Sequence, residues 1–299
     1  MNIQDFIHPD DASALNNLKS IPALPTIIDK VMQYGYEEIM WSSNVASNVR
    51  LTERQMPEVY NRLPPICHQL GIPVPELYLQ MSPIPNAWTS GTSRVFIVVT
   101  LGLVRRFTDE ELDAVLAHEC GHILCRHVLY SMLANAIYDL GDSMMEGVLG
   151  SIGNLAMKPI KQALFGWSRA SELSADRVAC MITSVETITR VLAKLDGIPP
   201  IILKGLDLDE WSSQGEDYER LKTGNAWSKI VRYMSNSDMS HPYGPVRAYE
   251  VKRWAGGNHY KKLKANMQLQ IGGHTCPNCG CAISSGWVYC KGCGTKLRQ

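Results

Sequence analysis

The sequence predicts an α+β fold that is mainly helical, with a small, mostly antiparallel sheet and a compact cysteine-rich module near the C-terminus. Three observations support this prediction. Helical patterns extend through much of the 299 residues, and three short β-prone runs cluster between residues 76 and 100. Five of the nine cysteines lie in the last 24 residues, which indicates a separate small module.

The composition indicates an ordinary globular chain. Hydrophobic residues make up 45% and charged residues 19%, with a formal net charge of zero, which gives no indication of a nucleic-acid partner. Asp5, Asp10 and Asp11 occupy the region where a signal peptide would be basic and apolar. No apolar run reaches the roughly 18 residues of a membrane span. We therefore expect a soluble cytoplasmic protein without a transmembrane segment.

The first half of the chain predicts helices followed by the sheet. Residues 1–57 form a predicted N-terminal helical segment. Strands are predicted at "ELYLQM" (76–81), "NAWTSG" (86–91) and "RVFIVVT" (94–100), with Gly91 in the turn between the last two. The third run is β-branched and apolar throughout, so we expect it to be central or well covered.

The next predicted helix carries the first chemical motif, "HECGH". Thr108 and Glu111 form a capping box at its start. His118 and His122 lie four residues apart, and therefore on one face, where both imidazoles can bind one zinc ion. Glu119 can reach a water molecule held by that ion and act as a general base. The alternative is a pair of structural histidines. His127, five residues after His122, is predicted to rotate off the ligand face.

The second chemical motif is acidic and lies on a helix predicted over residues 168–196. Glu172 and Asp176 are again four residues apart. Glu172 can supply the third protein ligand of a catalytic zinc, and Asp176 can accept a hydrogen bond from a ligand histidine. Alone, this pair is more typical of a solvated acidic face, but its combination with the histidine motif favours a metal site. Residues 128–167 are interrupted by charges and predict helices packed on the core, with peripheral membrane contact as the alternative.

Four motifs together resemble a known family. "NAWTSG", "VVTLGLVRRFTDEELDAVLAHECGHILCRH", "SRASELSADRVA" and "HPYGPVR" occur in the order found in the HtpX-like and CaaX-prenyl-protease-like zinc metallopeptidases, a branch of the gluzincins. The resemblance spans roughly residues 58–255. It implies a zincin-type fold that hydrolyses peptide bonds. The charged residues in 128–167 replace membrane spans of well-known relatives, which argues against membrane-protein quality control and prenyl-protein processing.

The resemblance also implies roles for individual residues. It makes His118, His122 and Glu172 the zinc ligands, Glu119 the general base and Asp176 a partner of a ligand histidine. His241 and Arg247 would assist the substrate and the transition state, although Arg247 could instead hold Glu172 or Asp176 in place. The edge strand for an extended substrate would contain Asn86, Ala87 and Trp88. Cys120, inside the motif, is expected to be an inert thiol, with redox sensitivity as the alternative.

The tail "CPNCGCAISSGWVYCKGCG" predicts a short zinc ribbon. It contains two Cys-x-x-Cys pairs separated by ten residues, namely Cys276 with Cys279 and Cys290 with Cys293. Four thiolates close the coordination shell, so this zinc is expected to be structural. We expect the ribbon to contact a protein partner or substrate.

The sequence thus predicts a zinc-dependent metalloendopeptidase with one catalytic and one structural zinc. Its expected parts are the N-terminal segment, a metallopeptidase domain (58–260), a basic linker (261–273) and the ribbon (274–299). The main alternative is an adaptor in which the ribbon recruits a partner and the peptidase fold is latent or regulatory. The intact Glu119 favours the enzyme. A nucleic-acid-binding protein would rest on the basic tail alone and is not expected.

Overall fold

A computed structural model describes residues 2–149, 153–223, 243–271, 276, 278, 289–290 and 293–297. Within these, residues 140–149, 153–158, 222–223 and 268–271 are described by their helical backbone alone. His241, Cys279 and Cys281 lie outside the described residues.

The N-terminal segment is mostly helical, as the sequence predicts, and after a short 3-10 helix (Ile3–Asp5) it contains three α-helices. They are α1 (Pro9–Lys19), α2 (Leu24–Gln33) and α3 (Tyr36–Ser47). His8 caps α1, because its side chain accepts a hydrogen bond from the backbone N–H of Asp10. The prediction for this segment missed a strand of three residues, β1 (Val49–Leu51). Three residues are too few to show the alternating pattern of a strand, so only the pairing of β1 with another strand identifies it.

The sheet contains four strands in the order β1-β2-β4-β3, where β2 is Glu76–Gln80, β3 is Ala87–Ser90 and β4 is Phe96–Thr100. The pairs β1–β2 and β3–β4 are antiparallel, as expected, but the central pair β2–β4 is parallel, so the sheet is mixed. The chain crosses from β2 to the far edge before β3 folds back onto β4, which makes β4 run in the direction of β2. All five residues of β4 are buried, whereas β3 lies at an edge.

The described chain contains eleven further α-helices. They are α4 (Pro57–Tyr60), α5 (Leu63–Leu70), α6 (Leu101–Arg106), α7 (Asp109–Leu124), α8 (Val128–Leu149), α9 (Gly153–Ile182), α10 (Val185–Leu195), α11 (Pro200–Leu203), α12 (Leu208–Thr223), α13 (Gly244–Gly256) and α14 (Asn258–Ile271). The capping box at Thr108 and Glu111 is confirmed. The single helix predicted over 168–196 is wrong, because α9 ends at Ile182 and the side chain of Ser184 caps a new helix. Most of the predicted linker is helical, since α14 covers 261–271.

Helices α7 and α9 pack closely, and Gly121 makes this approach possible. A Cβ atom at this position would lie 3.0 Å from Ala175 Cα and 3.1 Å from Val178 Cβ, both on α9. The main core joins α7 and α9 to the sheet, α5 and α10, and a second core joins the N-terminal helices to α8 and α9. The α7–α9 contact sets the distance between the two predicted metal-binding motifs.

Within the ranges described above, no helix is both long enough and apolar enough to cross a membrane.

Candidate metal centre

His118, His122 and Glu172 meet at the contact between α7 and α9. The Nε2 atoms of the two histidines are 3.2 Å apart. The Glu172 carboxylate oxygens lie 3.4 Å from His118 Nε2 and 3.3 Å from His122 Nε2. The three groups could therefore hold one metal ion. Two imidazole nitrogens and one carboxylate fit zinc, and three protein ligands leave a coordination position open.

Asp176, one turn after Glu172, lies behind the first histidine. Its Oδ1 atom is 2.9 Å from His118 Nδ1, while His118 Nε2 faces Glu172. A carboxylate in this position orients a ligand histidine and raises its basicity. Burial opposes protonation of His118, but Asp176 and Glu172 outweigh burial and raise its pKa to about 10. The surroundings of this imidazole thus favour positive charge, as a cation site requires.

Arg247 on α13 joins the two carboxylates of α9. Its Nε and Nη2 atoms donate to the Asp176 carboxylate at 2.8 and 2.7 Å, and its Nη1 atom lies 3.0 Å from Glu172 Oε2. Burial alone would lower the pKa of Arg247 and raise that of Asp176. The attraction between the two groups outweighs burial, so the pKa of Arg247 is raised and the pKa of Asp176 is lowered. Glu172 also raises the pKa of Arg247, and His118 also lowers that of Asp176. Both groups therefore remain charged, and Arg247 has the contacts of a residue that holds the acidic motif in place.

Glu119 is buried beside the edge strand of the sheet. Its Oε2 atom accepts a hydrogen bond from Thr89 Oγ1 on β3 at 2.7 Å. Thr89 was not singled out in the sequence, although it lies in the "NAWTSG" run, directly after Trp88. Of the predicted substrate residues, Ala87 and Trp88 begin this strand at the sheet edge, and Asn86 directly precedes it.

His127 lies beside the candidate metal centre, in a contact that the sequence does not predict. As expected, it is not among the three side chains that could hold the metal ion. Its Nδ1 atom nevertheless lies 3.0 Å from Nδ1 of His122, on the side of that ring opposite Glu172. This contact forms because α7 ends at Leu124 and the chain then turns back. On its other side, His127 Nε2 lies 3.0 Å from Oδ2 of the buried Asp11. No local pattern could have revealed a partner 116 residues away.

Cys120 is not among the three side chains of the candidate metal site and contacts another thiol. Its Sγ atom is 3.7 Å from Sγ of Cys67, and both residues are fully buried. The neighbouring Cys67 thiol and burial raise the pKa of Cys120 well above its usual range. A thiol that stays protonated is a poor nucleophile and a poor metal ligand, which favours the inert role.

Three of the four cysteines of the predicted ribbon also lie together. Cys276, Cys290 and Cys293 form a second group that could hold a metal ion, with Sγ of Cys276 and Cys293 3.6 Å apart. Gly294, with φ of +73°, turns the chain after Cys293, and the Cys290 N–H donates to the carbonyl of Thr295 at 2.7 Å. Three converging thiols are typical zinc ligands.

Comparison with known proteins identifies the class of protein to which this candidate metal centre belongs. The model of Peptidase family M48 matches residues 52–255, and the chain belongs to this family. This confirms the predicted resemblance to HtpX-like metallopeptidases. It also supports the chain's assignment as a protease, a hydrolase that acts on peptide bonds.

Three relatives illustrate this membership. "Plastoglobule-localized metallopeptidase 48, chloroplastic" from Arabidopsis thaliana is 32% identical over 91% of this chain and 78% of its own length. "Protease HtpX" from Legionella pneumophila is 32% identical over 46% of this chain, and "Protease HtpX homolog" from Thermococcus sibiricus is 30% identical over 49%. The matched regions span 58% and 59% of those two proteases. No solved structure matches the chain significantly.

Proposed function

We propose that the chain is a zinc-dependent metalloendopeptidase whose catalytic zinc is bound by His118, His122 and Glu172. The convergence of these three side chains across the α7–α9 contact is the observation that supports this function most directly. Glu119 lies between the two histidines in sequence, as a general base of this class requires.

Zinc held by these three side chains would supply Lewis-acid chemistry, which polarises the scissile carbonyl and makes the attacking water more acidic. Glu119 accepts the proton of the attacking water and delivers it to the leaving amine. Thr89 donates a hydrogen bond to one oxygen of the Glu119 carboxylate, which fixes its orientation. We assign the other oxygen to the water proton.

Arg247 supports the metal ligands through its contacts with Asp176 and Glu172. Asp176 orients His118 through Nδ1 and so directs Nε2 toward the metal. The sequence also places His241 in the catalytic group, as a donor to the oxyanion that forms on the substrate. His241 lies outside the described residues, and its role rests on the family pattern.

We propose that the substrate is an extended stretch of protein or peptide that pairs with β3. This strand is at the sheet edge, and its Thr89 contacts the general base. Backbone pairing along Asn86, Ala87 and Trp88 would give affinity with little dependence on substrate sequence. Unfolded protein is therefore the substrate we expect.

We assign a second, structural zinc to Cys276, Cys279, Cys290 and Cys293. The closeness of the three described thiols supports this site. We propose that the ribbon contacts a protein partner or the substrate, and no nucleic-acid partner is expected. The cytoplasmic location stays a prediction, and peripheral membrane contact by 128–167 stays the alternative to helices packed on the core.

The test is cleavage of casein by the zinc-loaded chain, compared with Glu119→Gln. We expect cleavage to fall roughly 100-fold or more, because the variant keeps the shape of the side chain but cannot accept the proton. Glu110→Gln, an exposed position on the same helix, serves as the matched control and should cleave normally.

Full cleavage by Glu119→Gln would show that Glu119 is not the base. If the wild-type protein and Glu110→Gln both fail to cleave casein, the adaptor alternative is favoured, and the partner of the ribbon becomes the next question.

A further inference from the structure

The end of α7 brings His127 back to the metal centre. Arg126 takes a left-handed backbone conformation, with φ of +61°, which is uncommon for a residue other than glycine. The His127 N–H donates to the carbonyl of His122 at 2.9 Å, and the Arg126 N–H donates to the carbonyl of Ile123 at 3.1 Å. This pair of bonds is a Schellman motif, and it folds the residue after the turn back against the last helical turn.

His127 then lies between His122 and a carboxylate. Its Nδ1 atom is 3.0 Å from His122 Nδ1, and its Nε2 atom is 3.0 Å from Asp11 Oδ2. A histidine that binds a metal through Nε2 carries its proton on Nδ1 and can donate it. His127 can accept this hydrogen bond from His122 on Nδ1 only when its own proton is on Nε2. Asp11 favours this tautomer because its carboxylate accepts a hydrogen bond from the Nε2–H group.

Two side chains of α9, the helix that carries Glu172, hold Asp11 in place. The Ser174 hydroxyl donates to Asp11 Oδ2 at 2.6 Å, and the Trp167 indole N–H donates to Oδ1 at 3.0 Å. Burial raises the pKa of Asp11, but the hydrogen bonds from His127, Ser174 and Trp167 lower it overall. The carboxylate is therefore charged and acts as a pure acceptor.

We propose that His127 and Asp11 are positioning residues for the metal ligand His122. This inference rests on the proposed zinc site. His118 is oriented by Asp176 directly, whereas His122 is oriented by Asp11 through an intervening imidazole. Asp11 lies on α1, before the part of the chain that matches the family model. The N-terminal helix is thus a component of the metal centre.

The experiment measures zinc affinity of the full chain by competition with a chelator. We expect Asp11→Asn and His127→Leu each to weaken binding at the catalytic site about 10- to 100-fold, as is typical when the partner of a ligand histidine is lost. Because Asp11 acts through His127, the double variant should bind no more weakly than His127→Leu alone. The absorption spectrum of bound Co²⁺ should shift in the same variants, because the orientation of the His122 ring changes.

Glu250→Gln is the matched control. Glu250 accepts a hydrogen bond from the buried His8 at 3.2 Å, so this pair also joins the N-terminal segment to the body of the protein, but it does not contact a metal ligand. Its zinc affinity should stay within twofold of wild type. Glu172→Ala, measured in parallel, identifies the zinc that belongs to the ribbon.

Each outcome decides one point. If the wild-type protein binds no more zinc than Glu172→Ala, the proposed function fails. If the wild-type site binds zinc and both positioning variants match it within twofold, the inference is overturned while the proposed function stands. An equal loss in Glu250→Gln would also overturn it, because general docking of the N-terminal segment would explain the effect. If Asp11→Asn does not fold, the test depends on His127→Leu. In that variant Asp11 keeps its hydrogen bonds from Ser174 and Trp167.

Discussion

Arg247 shows how a single side chain stabilises the metal centre. It is buried and neutralises two buried carboxylates, Asp176 and Glu172. Removing one partner from such a group leaves uncompensated charge in the interior, which costs about 3–5 kcal/mol. We therefore expect Arg247→Met to lower the free energy of unfolding by about that amount in urea titrations.

Arg253→Met on the same helix is the control for this prediction. Arg253 is 60% exposed, and its pairing with Glu250 should contribute only about 0–1 kcal/mol. Equal losses in the two variants would mean that the Arg247 ion pairs have no special stabilising role.

At the residue scale, the sequence predicted the groups that periodicity places together. His118 with His122, and Glu172 with Asp176, share helix faces because each pair is four residues apart. The contacts of Thr89 with Glu119 and of Asp11 with His127 could not be predicted in this way. They join elements that are distant in sequence, and only the packed fold brings them together.

At the scale of elements, Gly121 controls the approach of α7 to α9. In Gly121→Ala the new Cβ would lie 3.0 Å from Ala175 Cα, so the helices must separate slightly. We expect a loss of about 1–3 kcal/mol in the free energy of unfolding, as in other overpacked cores, together with weaker zinc binding. Thermal or urea unfolding and chelator competition measure the two effects.

For Gly166→Ala on α9 we expect the opposite change in the free energy of unfolding. Apart from the nearby backbone of its own helix, no atom lies within 4 Å of the Cβ position at Gly166. Alanine should stabilise this helix by about 0.5–1 kcal/mol, because glycine in a helix interior loses more conformational entropy on folding. If both substitutions stabilise the protein, α7 and α9 are not in the close contact described.

Glu37 of α3 fixes the turn between β3 and β4. Its carboxylate accepts hydrogen bonds from Thr92, Ser93 and the backbone N–H of Arg94. Burial raises the pKa of Glu37, but these bonds lower it from 4.5 to about 2. Because the folded pKa lies below the unfolded one, the stabilisation is complete above pH 4.5 and is lost as the pH falls toward 2.

We therefore expect Glu37→Gln to be less stable than wild type at pH 7, with a difference that shrinks as the pH falls from 4.5 toward 2. Urea unfolding at several pH values measures this difference. The exposed neighbour Glu38 is the control, and Glu38→Gln should change the free energy of unfolding by less than about 0.5 kcal/mol. A Glu37→Gln effect that does not depend on pH would contradict the role of the charged carboxylate.

Local signals predicted most elements, and tertiary pairing decided the rest. The capping box at Thr108 and the three runs between 76 and 100 are patterns that a few residues contain. By contrast, the parallel pairing of β2 with β4 depends on where the connection crosses the sheet. The break between α9 and α10 depends on the cap at Ser184, which lies within an otherwise helical pattern.

At the scale of the whole molecule, the proposed metal centre is built from elements that are widely separated in the sequence. Helix α1 contains Asp11, β3 contains Thr89, α7 and α9 contain the proposed ligands, and α13 contains Arg247. The predicted separation into an N-terminal segment and a metallopeptidase domain stays a prediction. The contacts of α1 with α9 nevertheless make the segment relevant to the proposed chemistry.

The most direct test of the central claim is the number of zinc ions bound per chain, measured by metal analysis of the wild-type protein and of Glu172→Ala. We predict two zinc ions in the wild-type protein and one in the variant, because Glu172 is a ligand of the catalytic site and has no part in the cysteine site. Two zinc ions in Glu172→Ala would contradict the assignment of Glu172 and, with it, the metal centre on which the proposed function depends.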